Sequence, residues 1–205
     1  MNDPEKFTRD FLRFWYKIRG GLMALPYVFA FFCMHNIDER PEVFIIGLLC
    51  VAAAFLLRLW AQLHLRYRLK IKKVLTMTGP YVYVRNPIYI ANIMLLAGYV
   101  LMSGLVWFFP ISILYGVFVY HIVVAYEERH LREKYGAPYV EYFELVPRWL
   151  PNILSHQNGE TPDGGWSRVR TFLLPSLRAE YQCLLIAMVP LTKKLLAEYS
   201  LNFFL

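Results

Sequence analysis

Two long runs of apolar residues constrain the fold of this chain more than any other feature of its sequence. Residues 42–63 (EVFIIGLLCVAAAFLLRLWAQL) and 105–126 (LVWFFPISILYGVFVYHIVVAY) each approach or exceed the roughly 20 residues that a helix needs to cross a membrane. Two shorter runs, 21–36 and 87–102, have the same character. Only 18% of the 205 residues are charged, compared with about 25% in soluble domains. The pattern therefore predicts an all-α polytopic membrane protein with four transmembrane helices.

The distribution of Lys and Arg predicts how the chain crosses the membrane. The first twenty residues, the connection 64–86 and the region after residue 126 are rich in these cations, whereas the connections 36–42 and 103–104 contain one and none. Cationic loops stay on the cytoplasmic side, so we expect both termini to be cytoplasmic. The formal net charge of +7 lies beside apolar runs and forms no basic soluble face, so it indicates a membrane partner and no nucleic acid.

A connection of two residues, Ser103-Gly104, separates the last two apolar runs. So short a connection forces the two helices to run antiparallel as neighbours. Their cytoplasmic ends, near residues 85–89 and 125–129, are therefore predicted to lie close together.

Composition divides the chain into three segments. Residues 1–75 hold the basic N-terminus and two predicted transmembrane helices, residues 76–152 hold the hairpin and an aromatic-rich helix, and residues 153–205 hold a turn-rich loop and a C-terminal helical region. Within the last segment, 169–198 is apolar but interrupted by charged residues such as Glu180. This pattern predicts a cytoplasmic interfacial helix, with a fifth transmembrane helix as the alternative.

The first cluster that could carry chemistry is Arg85, Asn86, Pro87 and Tyr89. Asn is a good helix N-cap and Pro is favoured at the first helical position, so Asn86-Pro87 is predicted to begin a helix. Helix N-termini present unpaired N–H groups and the positive end of the helix dipole, which suit an anion. Arg85 adds a donor for a carboxylate or phosphate, although it also fits as a cationic anchor at the membrane surface.

The second cluster is Glu127-Glu128, directly after the last apolar run. Two acids at the headgroup level are costly unless they are paired, hydrated or bound to a cation. Glu128 has Arg132 four residues further on, so an ion pair on the helix surface is an alternative for it. Across the hairpin, the two glutamates are expected to face the Arg85 cluster, and such a pocket suits a zwitterion such as an amino acid moiety. His121 either lines the same cavity or packs in the bundle.

The third cluster is the aromatic segment after the hairpin. Tyr135, Tyr139 and Tyr142 recur at helical spacing, which predicts one aromatic face. This helix, with Arg148 and Trp149 after it, is predicted either to anchor in the headgroup layer or to cover a bound cofactor and substrate. The scattered histidines and the lack of an H-E-x-x-H motif predict no metal site.

This order of elements resembles the family of membrane-embedded methyltransferases that includes isoprenylcysteine carboxyl methyltransferase and phosphatidylethanolamine N-methyltransferase. That family has an Arg-His-Pro-x-Tyr element opening one helix of a hairpin, a Glu-Glu pair ending the other, and a Gly-x-x-Tyr-x-x-Tyr segment leading to Val-Pro. The counterparts here are RNPIY (85–89), EE (127–128), YGAPYVEY (135–142) and VPRWLP (146–151). Asn86 replaces the His of the isoprenylcysteine enzymes and is similar to the Asn-Pro-x-Tyr form of the phosphatidylethanolamine enzymes.

The resemblance implies S-adenosylmethionine as the methyl donor and a lipidic acceptor from the bilayer, either an isoprenylcysteine-type carboxylate or a phospholipid amine. Carried over by position, the implied cofactor-binding residues are Arg85, Asn86, Pro87, Tyr89, Glu127, Glu128, Tyr139 and Tyr142. An amine acceptor must lose a proton before attack, and Glu128 and His121 are the candidate bases. Arg148 and Trp149 are candidates for contact with the substrate.

Two other functions stay open from the sequence. An NADPH-dependent reductase related to the sterol reductases would share a similar hairpin and C-terminal segment. A non-enzymatic membrane scaffold would use the basic segment 66–73 to bind anionic lipid. The sequence does not determine the oligomeric state.

Overall fold

The computed structural model describes residues 4–33, 40–67, 75–152 and 173–203, and over these residues the chain is helical and contains no strand. A short 3-10 turn, Gly79–Val82, precedes the central hairpin. The six α-helices are α1 Pro4–Phe32, α2 Pro41–Tyr67, α3 Pro87–Met102, α4 Phe108–Tyr135, α5 Ala137–Leu145 and α6 Leu173–Phe203. The predicted all-α class is confirmed. The predicted loop 155–165 and most of the basic segment 66–73 lie outside the described residues.

Two of the described helices are long and apolar enough to cross a membrane, Pro41–Arg66 and Phe108–Tyr135. Only 22% and 33% of their most apolar windows are buried inside the protein, so most of this apolar surface faces outward. Large exposed apolar surfaces on helices of this length suit acyl chains better than water. The count of four spans stays a prediction, because α3 has 16 residues and α1 continues the basic N-terminal segment as one helix.

The core of the bundle is centred on α3, whose second half is almost entirely buried. The helix packs most extensively against α2, and it also contacts α1, α4 and α6. At the α2–α3 crossing, Gly47 and Gly98 face each other: a Cβ on Gly98 would lie 2.7 Å from the Gly47 carbonyl oxygen. Small residues at such a crossing allow two helix backbones to approach closely.

The predicted hairpin turn is present between α3 and α4. The Ser103 hydroxyl donates to the Tyr99 carbonyl at 2.8 Å, and Gly104 has a φ of 76°, which a residue with a side chain rarely adopts. The fourth helix begins at Phe108, three residues later than predicted, and extends to Tyr135. The turn returns the chain so that Glu127 and Glu128 on α4 lie beside the start of α3.

The aromatic segment is not one continuous helix. Gly136, with a φ of 61°, ends α4 and begins α5, so Tyr135 lies on a different helix from Tyr139 and Tyr142. The tyrosines nevertheless share one small core: Tyr139 and Tyr142 pack with Leu75 and Val146, and Tyr135 lies against that cluster. The helical spacing therefore predicted a shared environment correctly but missed the break that glycine introduces.

Candidate functional site

A cavity of about 530 Å³ lies beside the first turn of α3. Binding sites for small molecules commonly have volumes of about 300–1,000 Å³. The cavity is walled by α1, α2, α3, α4 and the 3-10 turn. Its lining residues are Tyr16, Arg19, Arg58, Leu65, Tyr81, Arg85, Asn86, Pro87, Ile88, Tyr89, Asn92, Tyr126, Glu127, His130 and Leu131. The cavity is therefore lined by many polar and charged groups, although the outer faces of α2 and α4 are apolar.

The residues just before α3 are held by backbone hydrogen bonds to the segment that follows α5. The Arg85 N–H donates to the Pro147 carbonyl at 2.9 Å, and the Asn152 N–H donates to the Tyr83 carbonyl at 3.0 Å. Upstream, Gly79 adopts a φ of 64° against the His64 ring, where a Cβ would come within 2.5 Å of a ring carbon. These contacts set the position of Arg85 at the wall of the cavity.

Glu128 lies behind the cavity wall in a buried ion-pair cluster. Its Oε1 is 3.2 Å from Arg85 Nη2 and accepts from Arg148 Nε at 3.1 Å, and Arg148 Nη2 donates to Oε2. The Arg85 guanidinium also donates to the Phe143 carbonyl and stacks on the Phe143 ring, with its carbon 3.8 Å from the ring centroid. Glu128 is only 7% exposed, so its carboxylate is committed to two arginines. The sequence also allowed a surface ion pair between Glu128 and Arg132. The structure instead pairs Glu128 with Arg85 and Arg148.

Glu127 has the opposite surroundings, although it is the next residue. It lines the cavity, interacts with the hydroxyls of Tyr89 and Tyr16, and lies within electrostatic range of Arg19. The carboxylate therefore faces the space that a ligand would occupy. The hairpin brings Glu127 and Arg85 to the same cavity, as the short turn predicted.

The start of α3 is open to the cavity. The Asn86 side chain makes no capping hydrogen bond to the helix, and its Nδ2 donates instead to the Arg148 carbonyl at 3.4 Å. Pro87 and Ile88 form the first turn and line the cavity. Asn86 thus begins the helix as predicted. Pro87 has no N–H, and the Tyr89 and Ile90 N–H groups donate to the Asn86 carbonyl, each at 3.2 Å, so the Ile88 N–H is the donor of this turn left for an anion.

Tyr139 and Tyr142, predicted to bind the cofactor, lie in the small core of α5 at 2% and 4% exposure and do not line the cavity. The Tyr142 hydroxyl donates to the Tyr81 carbonyl at 2.8 Å, which joins α5 to the 3-10 turn. Burial raises the pKa of both tyrosines, so their hydroxyls stay protonated. Their contacts support the wall of the cavity from outside.

Three further predicted residues also lie away from the cavity lining. Arg148 is held by Glu128, Trp149 packs against the main core with its indole nitrogen buried and without a hydrogen-bond partner, and His121 is exposed on α4. The structure therefore brings Arg85, Asn86, Pro87, Tyr89 and Glu127 together in the cavity. The other predicted residues surround or lie outside it.

Sequence reasoning missed a second polar group at the cavity, formed by Arg58, Asn92, Tyr120 and Glu180. Arg58 Nε donates to Glu180 Oε2 at 2.5 Å, and Asn92 Nδ2 donates to the Tyr120 hydroxyl at 3.0 Å. An arginine inside the apolar run 42–63 was the available signal, because a charge within a membrane segment usually has a function. Its partner could not be foreseen, since Glu180 is 122 residues away.

The described helices thus form a bundle with outward apolar faces, typical of helical membrane proteins, and a polar cavity at the start of a helical hairpin. Residues 42–138 match the family model described as phospholipid methyltransferase, so this segment is similar to that family. The resemblance read from the motifs is therefore confirmed. No curated protein and no solved structure gives a significant match to the chain.

The matched segment includes α2, the hairpin and its polar clusters, and it ends at the start of α5. Arg148 and Glu180 lie beyond it, and so does α1, which contributes Tyr16 and Arg19 to the cavity. The family model thus covers most of the cavity, while its remaining wall comes from parts of the chain outside the match.

Proposed function

We propose that this protein transfers a methyl group from S-adenosylmethionine to a lipidic acceptor in the membrane. The observation that carries the proposal is the polar cavity in which the uncapped start of α3 and Arg85 lie together with Glu127, within the segment that matches the methyltransferase family. Both termini are proposed to be cytoplasmic, which places the cavity mouth on the side where the cofactor is found.

The residues present suit the zwitterionic methionine moiety of that cofactor. Arg85 Nε is buried and has no hydrogen-bond partner, and the Ile88 N–H in the first turn of α3 has no side-chain cap, so these two donors are available for a carboxylate. Glu127, on the α4 side of the cavity, supplies a carboxylate for the ammonium group. Glu128, Tyr139 and Tyr142 are proposed to act indirectly, by holding Arg85 and the 3-10 turn in place.

The sulfonium of the cofactor supplies an already activated methyl group, so the protein mainly needs to align the acceptor and exclude water. Tyr81 and Tyr89 line the cavity, and the outward apolar faces of α2 and α4 suit the acyl chains of a lipidic acceptor. A carboxylate acceptor needs no base. For an amine acceptor we favour His130, which lines the cavity, over Glu128, which two arginines hold, and over His121, which is exposed elsewhere on α4.

The test is cofactor binding and methyl transfer by purified protein in nanodiscs. S-adenosylhomocysteine should bind the unmodified protein, and tritiated methyl groups should pass from S-adenosylmethionine into added lipid extract. Glu127→Gln should weaken cofactor binding at least about tenfold, because a hydrogen bond to a charged group contributes about 1.5–3 kcal/mol. Glu133→Gln, on the exposed surface of the same helix, is the matched control and should leave binding unchanged.

Two results would contradict the proposal. Absence of S-adenosylhomocysteine binding in both detergent and nanodiscs would exclude the cofactor assignment. Thermal stabilisation by NADPH, but not by S-adenosylhomocysteine, would favour a reductase. A scaffold function predicts instead that Glu127→Gln and Arg85→Ala leave cellular function intact.

A further inference from the structure

A second, smaller cavity of about 100 Å³ lies between the N-terminal part of α1 and the last turns of α4. Its lining consists of three arginines, one glutamate, one histidine and one tyrosine: Arg9, Arg13, Arg129, Glu133, His130 and Tyr126. None of these arginines lines the larger cavity of the proposed cofactor. The proposed methyl transfer therefore leaves them without a role.

The arginines of this small cavity carry more positive charge than its lining compensates. Arg9 and Arg13 are four residues apart on one face of α1, a spacing at which like charges destabilise a helix. Arg129 reaches the same cavity from α4, where Glu133 pairs with it at 3.6 Å. Three arginines and one glutamate leave an excess of two positive charges, without counting His130. An anion bound among the arginines would offset a repulsion that otherwise pushes α1 away from α4.

The convergence of the arginines on one cavity distinguishes them from ordinary membrane anchors. Lys and Arg side chains at the end of a span usually extend separately toward the headgroups. Guanidinium groups that meet at one place instead suit phosphate, which accepts two parallel hydrogen bonds from each. A phosphate monoester carries a charge of about −1.5 to −2 near neutral pH, which matches the excess at this site. A volume of about 100 Å³ suits such a headgroup, since sites for whole small molecules start at about 300 Å³.

The surroundings of the small cavity favour a membrane lipid as the source of the phosphate. The apolar run of α4 ends at Tyr126, so the cavity lies where a span meets the headgroup layer. On α1, Phe7, Phe11 and Phe14 recur at helical spacing and are 72%, 45% and 57% exposed. Exposed aromatic rings beside cations suit this layer, because the rings contact acyl chains while the cations contact phosphates.

The small cavity is also connected to the larger one. Further along α1, Tyr16 and Arg19 line the larger cavity, and Tyr126 and His130 on α4 line both. The Tyr16 and Tyr126 rings lie against each other, with their centroids 4.9 Å apart. A ligand that draws α1 onto α4 would therefore also fix Tyr16 and Arg19 in the wall of the larger cavity.

We infer that Arg9, Arg13 and Arg129 bind the phosphate monoester headgroup of an anionic membrane lipid, which regulates the protein by clamping α1 against α4. This lipid stays outside the larger cavity and receives no methyl group. Arg9 and Arg13 lie before the segment 42–138 that matches the family. Binding of the lipid is independent of the proposed function, whereas its effect on the cofactor rests on that function. A soluble phosphate monoester would offer the same chemistry, and the experiment separates the two sources.

The first experiment measures unfolding temperatures in nanodiscs of phosphatidylcholine, with and without phosphatidic acid. Phosphatidic acid should stabilise the unmodified protein and have little effect on Arg13→Gln. In phosphatidylcholine alone, Arg13→Gln should be at least as stable as the unmodified protein, because one of the repelling charges is gone. Lys17→Gln removes an exposed charge of α1 outside the cavity lining and is the matched control, which should respond to phosphatidic acid like the unmodified protein.

Three results of this experiment would overturn the inference. If Arg13→Gln is less stable than the unmodified protein even in phosphatidylcholine, the arginine has a structural role that needs no anion. Equal stabilisation by phosphatidylglycerol at the same total lipid charge would indicate attraction to any anionic surface in place of a phosphate monoester site. Equal stabilisation by soluble glycerol 3-phosphate, added to phosphatidylcholine nanodiscs, would assign the site to a soluble ligand.

The second experiment measures S-adenosylhomocysteine binding in the same nanodiscs. Phosphatidic acid should tighten binding to the unmodified protein about fivefold, the lower range of coupling between two sites, and should not change binding to Arg13→Gln. In phosphatidylcholine alone the small cavity holds no anion, so Arg13→Gln and Glu133→Gln should bind like the unmodified protein. Equal affinity with and without phosphatidic acid would contradict the regulatory role. Stabilisation by phosphatidic acid in a protein that binds no S-adenosylhomocysteine would reject the proposed function alone.

Discussion

At the scale of single residues, two neighbouring glutamates on α4 have different partners. Glu128 is buried between Arg85 and Arg148, and Glu127 faces the cavity with tyrosine hydroxyls around it. Adjacent positions on a helix point about 100° apart, so one can pack inward while the other lines a cavity. The pair therefore combines a support for the wall with a carboxylate that lines the cavity and is proposed to bind the ligand.

Replacing each glutamate with glutamine should have different effects. Glu128→Gln leaves two arginines without their carboxylate, and breaking a buried ion pair typically costs about 3–5 kcal/mol, so we expect a marked drop in unfolding temperature. Glu127→Gln should lower the unfolding temperature much less while weakening cofactor binding. Thermal unfolding in nanodiscs measures the first effect and calorimetry the second. Equal destabilisation by both substitutions would show that the two glutamates do not divide these roles.

The tyrosines behind the cavity predict a loss of stability at alkaline pH. Burial raises the pKa of Tyr81, Tyr139 and Tyr142 in the fold above the ordinary value of about 10. The folded state therefore retains their protons where the unfolded chain releases them, so their contribution is complete below about pH 10 and declines as the pH rises further.

Tyr142→Phe should show a shallower decline above pH 10, because one of these titrating groups is gone. At pH 8 the same variant should be less stable by about 1–2 kcal/mol, since the Tyr81 carbonyl loses its donor. Unfolding temperatures between pH 8 and pH 11 test both effects. A variant that declines as steeply as the unmodified protein would contradict the role of Tyr142 in this dependence.

At the scale of elements, the approach of α2 to α3 depends on glycine. Gly47 and Gly98 leave each backbone in contact with the other, and a Cβ on either would lie under 3 Å from the facing carbonyl oxygen. This crossing holds Arg58 on α2 next to Asn92 on α3. The part of the cavity that Arg58 and Asn92 line thus depends on the contact between Gly47 and Gly98.

Gly98→Ala should push the two helices apart. Overpacking in a close contact typically costs about 1–3 kcal/mol, so Gly98→Ala should lower the unfolding temperature. Gly20→Ala is the matched control, because nothing lies within 4 Å of a Cβ there and alanine favours the helix. The unfolding temperature of both variants is the measurement, and a Gly98→Ala protein as stable as Gly20→Ala would argue against the close crossing.

At the scale of the whole molecule, buried ion pairs lie inside the bundle beside its apolar core, and large apolar side chains also cover the outer faces of two helices. The outward faces of α2 and α4 carry large exposed side chains such as Leu49 and Leu114, at 64% and 70% exposure. Inside, the ion pairs Arg58–Glu180 and Arg85–Glu128 connect helices to the cavity. This arrangement suits a bilayer, because water does not compete for the outer surface and the polar groups find partners within the protein.

A lysine on the outer face of α4 distinguishes a membrane span from a helix in water. Leu114→Lys should reduce insertion, since a lysine in a span costs about 2.5–3.5 kcal/mol at its centre. Leu150→Lys, at an exposed leucine after α5, is the control and should insert normally. Resistance to alkaline extraction from membranes measures insertion. If the two variants remain equally membrane-bound, the position of Leu114 in a span is contradicted.

Sequence alone was sufficient for the features that depend on neighbouring residues. The long apolar runs predicted the helices, Ser103-Gly104 predicted the hairpin, and the Asn86-Pro87 pair predicted the start of α3, because helix caps and short turns are set by local backbone chemistry. The hairpin in turn placed Glu127 and Arg85 at the same end. The two ends of the hairpin also carry the motifs on which the resemblance to the methyltransferase family rests, RNPIY (85–89) and EE (127–128).

Only the tertiary structure decided which polar groups meet across the chain. In the structure Glu128 pairs with Arg148, and Arg58 pairs with Glu180, which is 122 positions away. Tyr139 and Tyr142, which the sequence predicted to bind the cofactor, pack in a supporting core outside the cavity. Such pairs depend on the direction of side chains on helices that are distant in sequence, and helical periodicity carries no information about partners at that range. The sequence by itself determined the hairpin and its motifs, whereas the fold determined which residues meet Arg58 and Asn92 at the cavity.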